Sequence, residues 1–322
     1  MKFLFCLLLT VFFATAGVAE AQLPKKVPRI GYLALRPGVN HSAFRQGLRD
    51  LGYVEGQNII IEWRFAEVKS ERYPLLAAEL VQIGVEAIVT NSGDEPILAA
   101  MNSTKTIPII FETGSDPVAR GFVASLARPE SNLTGVSWMA HELDGKRLEL
   151  LKEAVPKLTR VAVLGDPDQR NYGVQMTELK AAAQGLHLEL QPVRIQRADD
   201  LENAFSAMSN SNARGFFLLV NPAFGAFRNK ILELAVKSRL PGMYSNQDYV
   251  NAGGLMTYAP DRTATARRLA VYVDKILKGT RTTDLPVERP TKFEFVINLK
   301  AAKQIGLTIP QSVLYRADKV IK

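Results

Sequence analysis

The feature that most constrains the fold is a pattern that occurs four times, in which a short apolar run meets a polar loop and helix-forming residues follow. One run, residues 107–111, is rich in isoleucine, as is typical of a strand buried on both faces of a parallel sheet. The other three runs are residues 86–90, 161–164 and 216–220. Strands that alternate with helices at this spacing predict a parallel sheet with helices on both faces.

The pattern occurs in both halves of the chain, and this repetition predicts the domain organisation. We expect an α/β protein with two doubly wound lobes, whose parallel sheets are joined by several crossovers. At 322 residues the chain is long enough for two such domains. The expected first lobe comprises residues 22–139 and 246–283, and the expected second lobe comprises residues 140–245 and 284–322.

The polar loops form the predicted ligand site, because open α/β sheets bind ligands at the carboxyl ends of their strands. Any one of these loops, taken alone, could be an ordinary connection between a strand and a helix. The occurrence of such loops in both halves of the chain favours a cleft between two sheet edges. Asp116 followed by Pro117 has the chemistry of an N-cap and a first helical turn, so we expect a helix to begin there. The predicted ligand-binding residues are Asn91, Ser92, Gly93, Thr113, Gly114, Ser115, Asp116, Asp166, Asn221 and Tyr244.

These side chains favour binding over catalysis, because they offer neutral hydrogen-bond donors with no base beside any hydroxyl. Ser115 of the first lobe and Asp166 of the second are both expected to face the ligand, since each follows the end of a predicted strand. Four aromatic residues near strand ends or lobe junctions, one of them Tyr244 again, either line the pocket or belong to the core. These residues are Trp138, Tyr172, Phe224 and Tyr244.

The sequence contains none of the common catalytic and cofactor motifs. No Gly-x-Gly-x-x-Gly motif follows the first strand, and neither a Gly-Lys-Ser/Thr phosphate loop nor a Gly-x-Ser-x-Gly elbow occurs. The three histidines, His41, His141 and His187, are too widely spaced to suggest a metal site. Asp166 and Asp168 flank a proline, where turn formation is the simpler interpretation, although Asp166 also suits an ammonium group. We therefore expect no catalytic residue, no cofactor and no metal.

The net charge of +8 does not indicate a nucleic-acid-binding protein, because lysines and arginines are spread along the chain. The longest basic runs are the pairs Lys25-Lys26 and Arg267-Arg268. We expect no nucleic-acid partner, and we expect a monomer.

The N-terminus has the features of a secretory signal peptide. Lys2 precedes an apolar run over residues 3–18, and residues 19–21 (AEA) supply small residues at the spacing that signal peptidase recognises. We predict that residues 1–21 are removed and that the protein is periplasmic. An uncleaved anchor is the alternative, although the run is shorter than the ~20 residues of a membrane span. Cys6 is the one cysteine, so the mature chain has no disulfide or cysteine nucleophile.

Several longer segments are distinctive in combination. In the first half they are residues 44–48 (FRQGL), 51–58 (LGYVEGQN), 115–118 (SDPV) and 123–129 (VASLARP). In the second half they are residues 145–152 (GKRLELLK), 252–256 (AGGLM) and the tail from 285 through 290–294 (PTKFE) to 310. With these segments nearly all of the predicted mature chain resembles the substrate-binding proteins of ABC importers. The resemblance is to the branch with the type I periplasmic-binding fold that includes tryptophan and tyrosine uptake proteins.

The resemblance implies an extracytoplasmic receptor that holds a small molecule, for example an amino acid or related polar metabolite, between its lobes. It also implies hinge closure and a permease partner in the inner membrane. The third loop of relatives commonly reads Gly-Thr-Pro, whereas residues 93–96 here are GDEP, which favours a more cationic or polyhydroxy ligand. Two alternatives are an exported hydrolase that uses cleft acids and a ligand-sensing regulator of the same fold. The signal peptide occupies the place of the DNA-binding module that a regulator needs.

Overall fold

The computed structural model describes residues 27–67, 69–91, 93–169 and 171–322, and the predicted signal peptide lies outside these ranges. The strands are β1 (Arg29–Ala34), β2 (Ile60–Phe65), β3 (Ala87–Thr90), β4 (Ile109–Thr113), β5 (Leu133–Ser137), β6 (Arg160–Gly165), β7 (Glu189–Arg194), β8 (Phe216–Leu218), β9 (Gly242–Tyr244), β10 (Met256–Pro260), β11 (Phe293–Asn298) and β12 (Lys319–Ile321). The α-helices are α1 (Val39–Asp50), α2 (Tyr73–Gln82), α3 (Asp94–Ser103), α4 (Asp144–Ala154), α5 (Tyr172–Gly185), α6 (Leu201–Asn210), α7 (Arg228–Lys237), α8 (Gln247–Asn251), α9 (Arg262–Leu277), α10 (Leu299–Gln304) and α11 (Gln311–Arg316).

The first sheet has five parallel strands in the order β2-β1-β3-β4-β5. Every residue of β3, β4 and β5 is buried, which suits the apolar run of β3 and of residues 109–111 in β4. Alternate residues of β1 point to opposite faces, so Tyr32 packs on the side of α1 and α9 while Leu33 packs on the side of α2 and α3. Because all five strands are parallel, their carboxyl ends meet at one edge of the sheet.

The second sheet has seven strands in the order β12-β11-β10-β9-β8-β6-β7. Its pairs are parallel except for β10 and β11, which run antiparallel. One apolar core extends through this lobe from Leu148 of α4 to Val313 of α11. The expected α/β class with two doubly wound lobes is confirmed, and the antiparallel pair is the one departure from purely parallel sheets among the described strands.

The chain passes between the lobes at three places that lie side by side. The first crossover follows β5, the second joins β10 to α9, and the third precedes β11. The N–H of Ser137 donates to the carbonyl of Glu288 at 2.9 Å, and the N–H of Asp261 donates to the carbonyl of Lys292 at 3.1 Å. Hydrogen bonds between the crossovers thus make a compact connection between the two lobes.

Two of the expected lobe boundaries need correction. We assigned residues 246–260 to the first lobe, but β10 lies in the second sheet, buried between β9 and β11. We also assigned residues 284–288 to the second lobe, whereas Leu285 and Val287 pack into the cores of the first. The reason is that β10 extends the second sheet before the chain crosses, and the return crossover begins only after Glu288.

The helix expected after Asp116 is also absent. Asp116 Oδ1 accepts hydrogen bonds from the N–H groups of Val118 (2.9 Å) and Ala119 (3.2 Å), as an N-cap does, but only turns follow. Residues 121–127 (GFVASLA) instead carry Phe122 and Val123 into the core beside α2 and α3, so tertiary packing overrides the local signal. By contrast, Asp261 both caps and begins a helix: it accepts hydrogen bonds from the N–H groups of Thr263 and Ala264 at the start of α9.

In the described part of the chain, no helix combines the length and apolar character that crossing a membrane requires.

Candidate functional site

A cavity of about 360 Å³ lies between the lobes, at the edges where the parallel strands of both sheets end. The first lobe contributes the turn after β1, the start of α1 and the loops after β3, β4 and β5. The second lobe contributes the start of α5 and the segments that follow β8, β9 and β10. Its volume falls in the range of small-molecule sites.

Asp94 organises the first-lobe side of this cavity. Its carboxylate accepts hydrogen bonds from Thr113 Oγ1 (2.8 Å) and Ser115 Oγ (2.9 Å), and it pairs with Arg120 Nε at 2.7 Å. This carboxylate joins the start of α3 to the loop after β4. Because all three partners belong to the protein, Asp94 gives no support to the cationic ligand that residues 93–96 suggested.

Ser115 contacts the opposite lobe directly. Its Oγ accepts a hydrogen bond from Asn171 Nδ2 at 2.8 Å, and Asn171 is the residue immediately before α5. The carbonyl of Ser115 accepts from Ser137 Oγ at 2.7 Å, which ties the loop to the end of β5. The loop after β4 that contains Ser115, here called the central loop, therefore meets the second lobe through one pair of side chains, Ser115 and Asn171.

The deep end of the cavity contains buried polar groups. Asn40, at the start of α1, is only 3% exposed, and neither its Oδ1 nor its Nδ2 has a hydrogen-bond partner among the described residues. Glu112 is 6% exposed and accepts a hydrogen bond from Asn91 Nδ2. Burial raises the pKa of the Glu112 carboxyl, with the positive charge of Arg262 opposing the shift. Since buried polar groups are normally paired, Asn40 offers a donor and an acceptor to a ligand.

The second-lobe wall is built from amide side chains that also hold the backbone. Gln175 of α5 accepts from the N–H of Val220 (2.9 Å) and donates to its carbonyl (3.3 Å). Asn221 Oδ1 accepts from the N–H of Ala223 at 2.9 Å, so Asn221 caps the 3-10 turn that follows β8. Both residues line the cavity, and their backbone contacts keep this wall in one geometry.

The structure places most of the predicted ligand-binding residues at the cavity. Those that line it are Asn91, Gly93, Thr113, Gly114, Ser115, Asp116 and Asn221. Ser92 lies outside the described residues. Gly114 leaves room for the indole of Trp138, since a Cβ at residue 114 would lie 2.8 Å from Trp138 Cζ2.

Asp166 and Tyr244, which we expected to face the ligand, do not line the cavity. Asp166 Oδ1 accepts hydrogen bonds from Gln196 Nε2 and from the N–H of Asp168, so its side chain belongs to a turn network beside β7. Tyr244 is 2% exposed and stacks on Tyr249 within the core. Because successive strand residues alternate in direction, the next residue, Ser245, lines the cavity instead.

Several cavity residues were not predicted from the sequence. Of the four expected aromatic walls, Trp138 is the one that lines the cavity among the described residues, and the rings of Tyr249 and His41 line it as well. The unpredicted polar residues include Arg36, Asn40, Glu112, Asn171, Gln175 and Arg228. Asn171 stands just before a helix that follows a polar loop, and that position was the available signal; Arg228 follows the largely apolar 3-10 turn of residues 222–227, where no such signal exists.

The arrangement defines a class of protein: a two-lobed α/β binding protein with a polar cleft at facing strand ends. The sequence matches the family described as ABC transporter substrate binding protein over residues 38–321. Because the match covers most of the chain, the protein belongs to this family, whose members are binding proteins.

Known relatives share both sequence and fold. The tyrosine-binding protein of Clostridioides difficile (strain R20291) is 26% identical over 267 residues, which are 82% of this chain and 75% of that protein. A conserved domain protein from Vibrio cholerae has a solved structure that matches with a TM-score of 0.83 and 26% identity, covering 92% of this chain and all of the other. The ABC domain in complex with L-Trp from Streptococcus pneumoniae matches with a TM-score of 0.80 and 24% identity over 91% of this chain and 99% of the other.

Proposed function

We propose that this protein is the extracytoplasmic solute-binding component of an ABC importer and that it captures an amino acid or related polar metabolite by hinge closure. The observation that carries the proposal is the inter-lobe cavity, to which both lobes contribute polar side chains that are joined across the cleft by Ser115 and Asn171. Adjacent crossovers are the connection about which such lobes close.

The amino-acid ligand is supported by two relatives, one described as tyrosine-binding and one solved with L-Trp. The cavity has features that suit such a ligand, with Trp138 and Tyr249 as apolar surfaces and Asn40 as an unpaired buried amide. The ligand contacts we propose are those of the cavity-lining predicted residues together with Asn40, Glu112 and Asn171.

In this proposal the protein acts outside the cytoplasm, with residues 1–21 removed as a signal peptide, and delivers its ligand to a membrane permease. Both lobes would present a surface to that permease only after closure. N-terminal sequencing of the exported protein, with Gln22 expected as the first residue, tests the processing step.

The ligand is best identified from the native protein. Protein purified without unfolding should release a small molecule on denaturation, and mass spectrometry should identify it as an amino acid or close derivative. The purified protein should bind that molecule in a one-to-one ratio and return it chemically unchanged. Conversion to a product would instead support the exported hydrolase, and release of a nucleotide or a sugar would contradict the amino-acid assignment.

Closure should depend on the contact between Ser115 and Asn171. Because Asn171→Ala removes one neutral hydrogen bond worth about 0.5–1.5 kcal/mol, affinity for the released ligand should fall about two- to tenfold. The ligand-induced decrease in radius of gyration, measured by small-angle scattering, should require a higher ligand concentration. Asn203→Ala, at an exposed position of α6 outside the cavity, is the matched control. Equal affinities for both variants would show that this contact does not support closure.

A further inference from the structure

Four arginines line the cavity, and they fall into two pairs by their surroundings. Arg120 Nε lies 2.7 Å from Asp94 Oδ2, and Arg262 Nη1 lies 3.0 Å from Asp248 Oδ2. Within residues 27–67, 69–91, 93–169 and 171–322, the guanidinium groups of Arg36 and Arg228 form neither an ion pair nor a hydrogen bond. Two of the four positive charges in the cleft are therefore not balanced by a protein carboxylate in contact with them.

The two unpaired arginines come from opposite lobes and meet at one place. Arg36 follows β1 in the first lobe, and Arg228 is the first residue of α7 in the second. Arg36 Nη2 lies 3.7 Å from the position that a Cβ on Gly225 would occupy, three residues before Arg228. Arg36 thus reaches across the cleft to the turn that leads into α7.

Tyr249 gives a second indication that the two charges share one neighbourhood. Burial raises the pKa of the Tyr249 hydroxyl above its ordinary value. Arg228 and Arg36 both oppose that shift, while Asp248 reinforces it. Both guanidinium groups therefore lie close enough to act on the same hydroxyl.

This arrangement is unfavourable without a ligand. Two positive charges that share a site repel each other, and Arg228 stands at the N-terminus of α7, where the helix dipole disfavours a cation. The Nε of Arg228 is buried without a hydrogen-bond partner among the described residues, and the same holds for both amide atoms of Asn40 in this cavity. These protein groups together therefore suit a ligand that carries an anion and a second polar group.

We propose that Arg36 and Arg228 together bind a carboxylate of the ligand, so that one negative charge joins the two lobes. Guanidinium groups bind carboxylates through short, charge-assisted hydrogen bonds, and these are stronger than bonds between neutral groups. A carboxylate that contacts both arginines interacts more strongly with the closed form than with the open form, which is the condition for driving closure. The inference rests on the proposed solute-binding function and adds the charge of the ligand and the residues that recognise it.

The test compares acids with amides. Binding of each of the twenty L-amino acids and of its α-carboxamide is measured by thermal shift and calorimetry on the parent, Arg36→Gln and Arg228→Gln. Arg49→Gln is the control, since Arg49 is an exposed arginine of α1 outside the cavity. The amino acid that binds the parent should bind either cleft variant about ten- to hundredfold more weakly, as expected for loss of a charged hydrogen bond. The carboxamide of that amino acid should bind the parent about as weakly as the acid binds the variants. The two substitutions should weaken binding of the carboxamide little further.

Stability without ligand separates recognition from folding. Because neither arginine has a protein partner, both cleft variants should unfold at the parent's temperature or above it. A carboxamide that binds as tightly as its acid would overturn the carboxylate assignment while leaving solute binding intact. Unchanged affinity of both variants for the acid would overturn the role of the arginines. A parent that binds no amino acid or amide would count against the proposed amino-acid ligand and, with it, this inference.

Discussion

Replacing Arg147 with methionine should lower the free energy of unfolding at pH 8 by about 3–5 kcal/mol, the cost of breaking a buried ion pair from one side. Arg147 of α4 is 1% exposed, and its Nη1 lies 3.0 Å from Oδ1 of Asp144, which is fully buried. Its Nε donates to the carbonyl of Tyr258 at 2.8 Å, and its Nη2 donates to the carbonyl of Ser245 at 3.0 Å. Methionine keeps the apolar volume and leaves one charge and two carbonyl groups without their donors.

The loss of stability in Arg147→Met should depend on pH, because the charge of Asp144 depends on pH. Burial raises the pKa of the Asp144 carboxyl to about 7, although Arg147 opposes the shift. The unfolded chain ionises this carboxyl near pH 3.9, whereas in the folded protein Asp144 becomes the fully charged partner of Arg147 only above its raised pKa. The contribution of this group to stability falls as the pH rises from about 4 to about 7. Without Arg147 the pKa of Asp144 rises further, so the deficit of Arg147→Met should be larger at pH 8 than at pH 5.

Urea denaturation of the parent and of Arg147→Met at both pH values measures this effect. Lys146→Met is the matched control, because Lys146 is partly exposed and its one ion pair is with Glu149 of the same helix. That control should change stability by less than about 1 kcal/mol. A deficit for Arg147→Met as small as that of the control would show that the buried pair is not a major support of the second lobe.

Arg147 also connects the stability of the second lobe to the shape of the cleft. Ser245 and Tyr258 stand near the ends of β9 and β10, and the neighbouring residues Asn246 and Ala259 line the cavity. By holding both carbonyl groups, one side chain of α4 sets the separation of two strand ends at the binding edge. A charged residue such as Arg147 is ordinarily expected at the surface, so nothing in the sequence around it indicates this role.

The predictable part of the site was its backbone. Apolar runs that end in polar loops locate strand ends, because burial on both faces of a sheet leaves a strong local signal, and this signal predicts the position of Thr113 and Ser115 at the edge of the cavity. Side-chain direction was not predictable for Tyr244, since a shift of one residue in a strand reverses the face. Asn40, Asn171 and Arg228 come from distant parts of the chain, and only the packing of the two lobes brings them to one cavity. The assignment of β10 to the second lobe likewise follows from its pairing with β9 and β11, which the local sequence does not reveal.

Replacing Gly135 with alanine should cost about 3 kcal/mol or more, because the added methyl group meets backbone and not a movable side chain. Gly135 lies in the middle of β5 with φ of +151°, a conformation that favours glycine. A Cβ there would lie 2.0 Å from the carbonyl oxygen of Phe111 and 2.7 Å from its nitrogen. The strand has no room to shift, since β4 pairs with it and the N–H of Glu288 donates to the Gly135 carbonyl at 2.9 Å.

The same substitution should weaken ligand binding, because β5 ends at Ser137, which holds the loop of Ser115, and is followed by Trp138 of the cavity. Gly173→Ala is the matched control: a Cβ in that part of α5 meets no atom within 4 Å, and alanine is the better helix former by about 0.5–1 kcal/mol. In chemical denaturation, the free energy of unfolding of Gly173→Ala should therefore equal or exceed that of the parent, and that of Gly135→Ala should be well below it. If Gly135→Ala unfolds at the parent's denaturant concentration and binds the released ligand equally well, the strand pairing of β4 and β5 does not position the central loop.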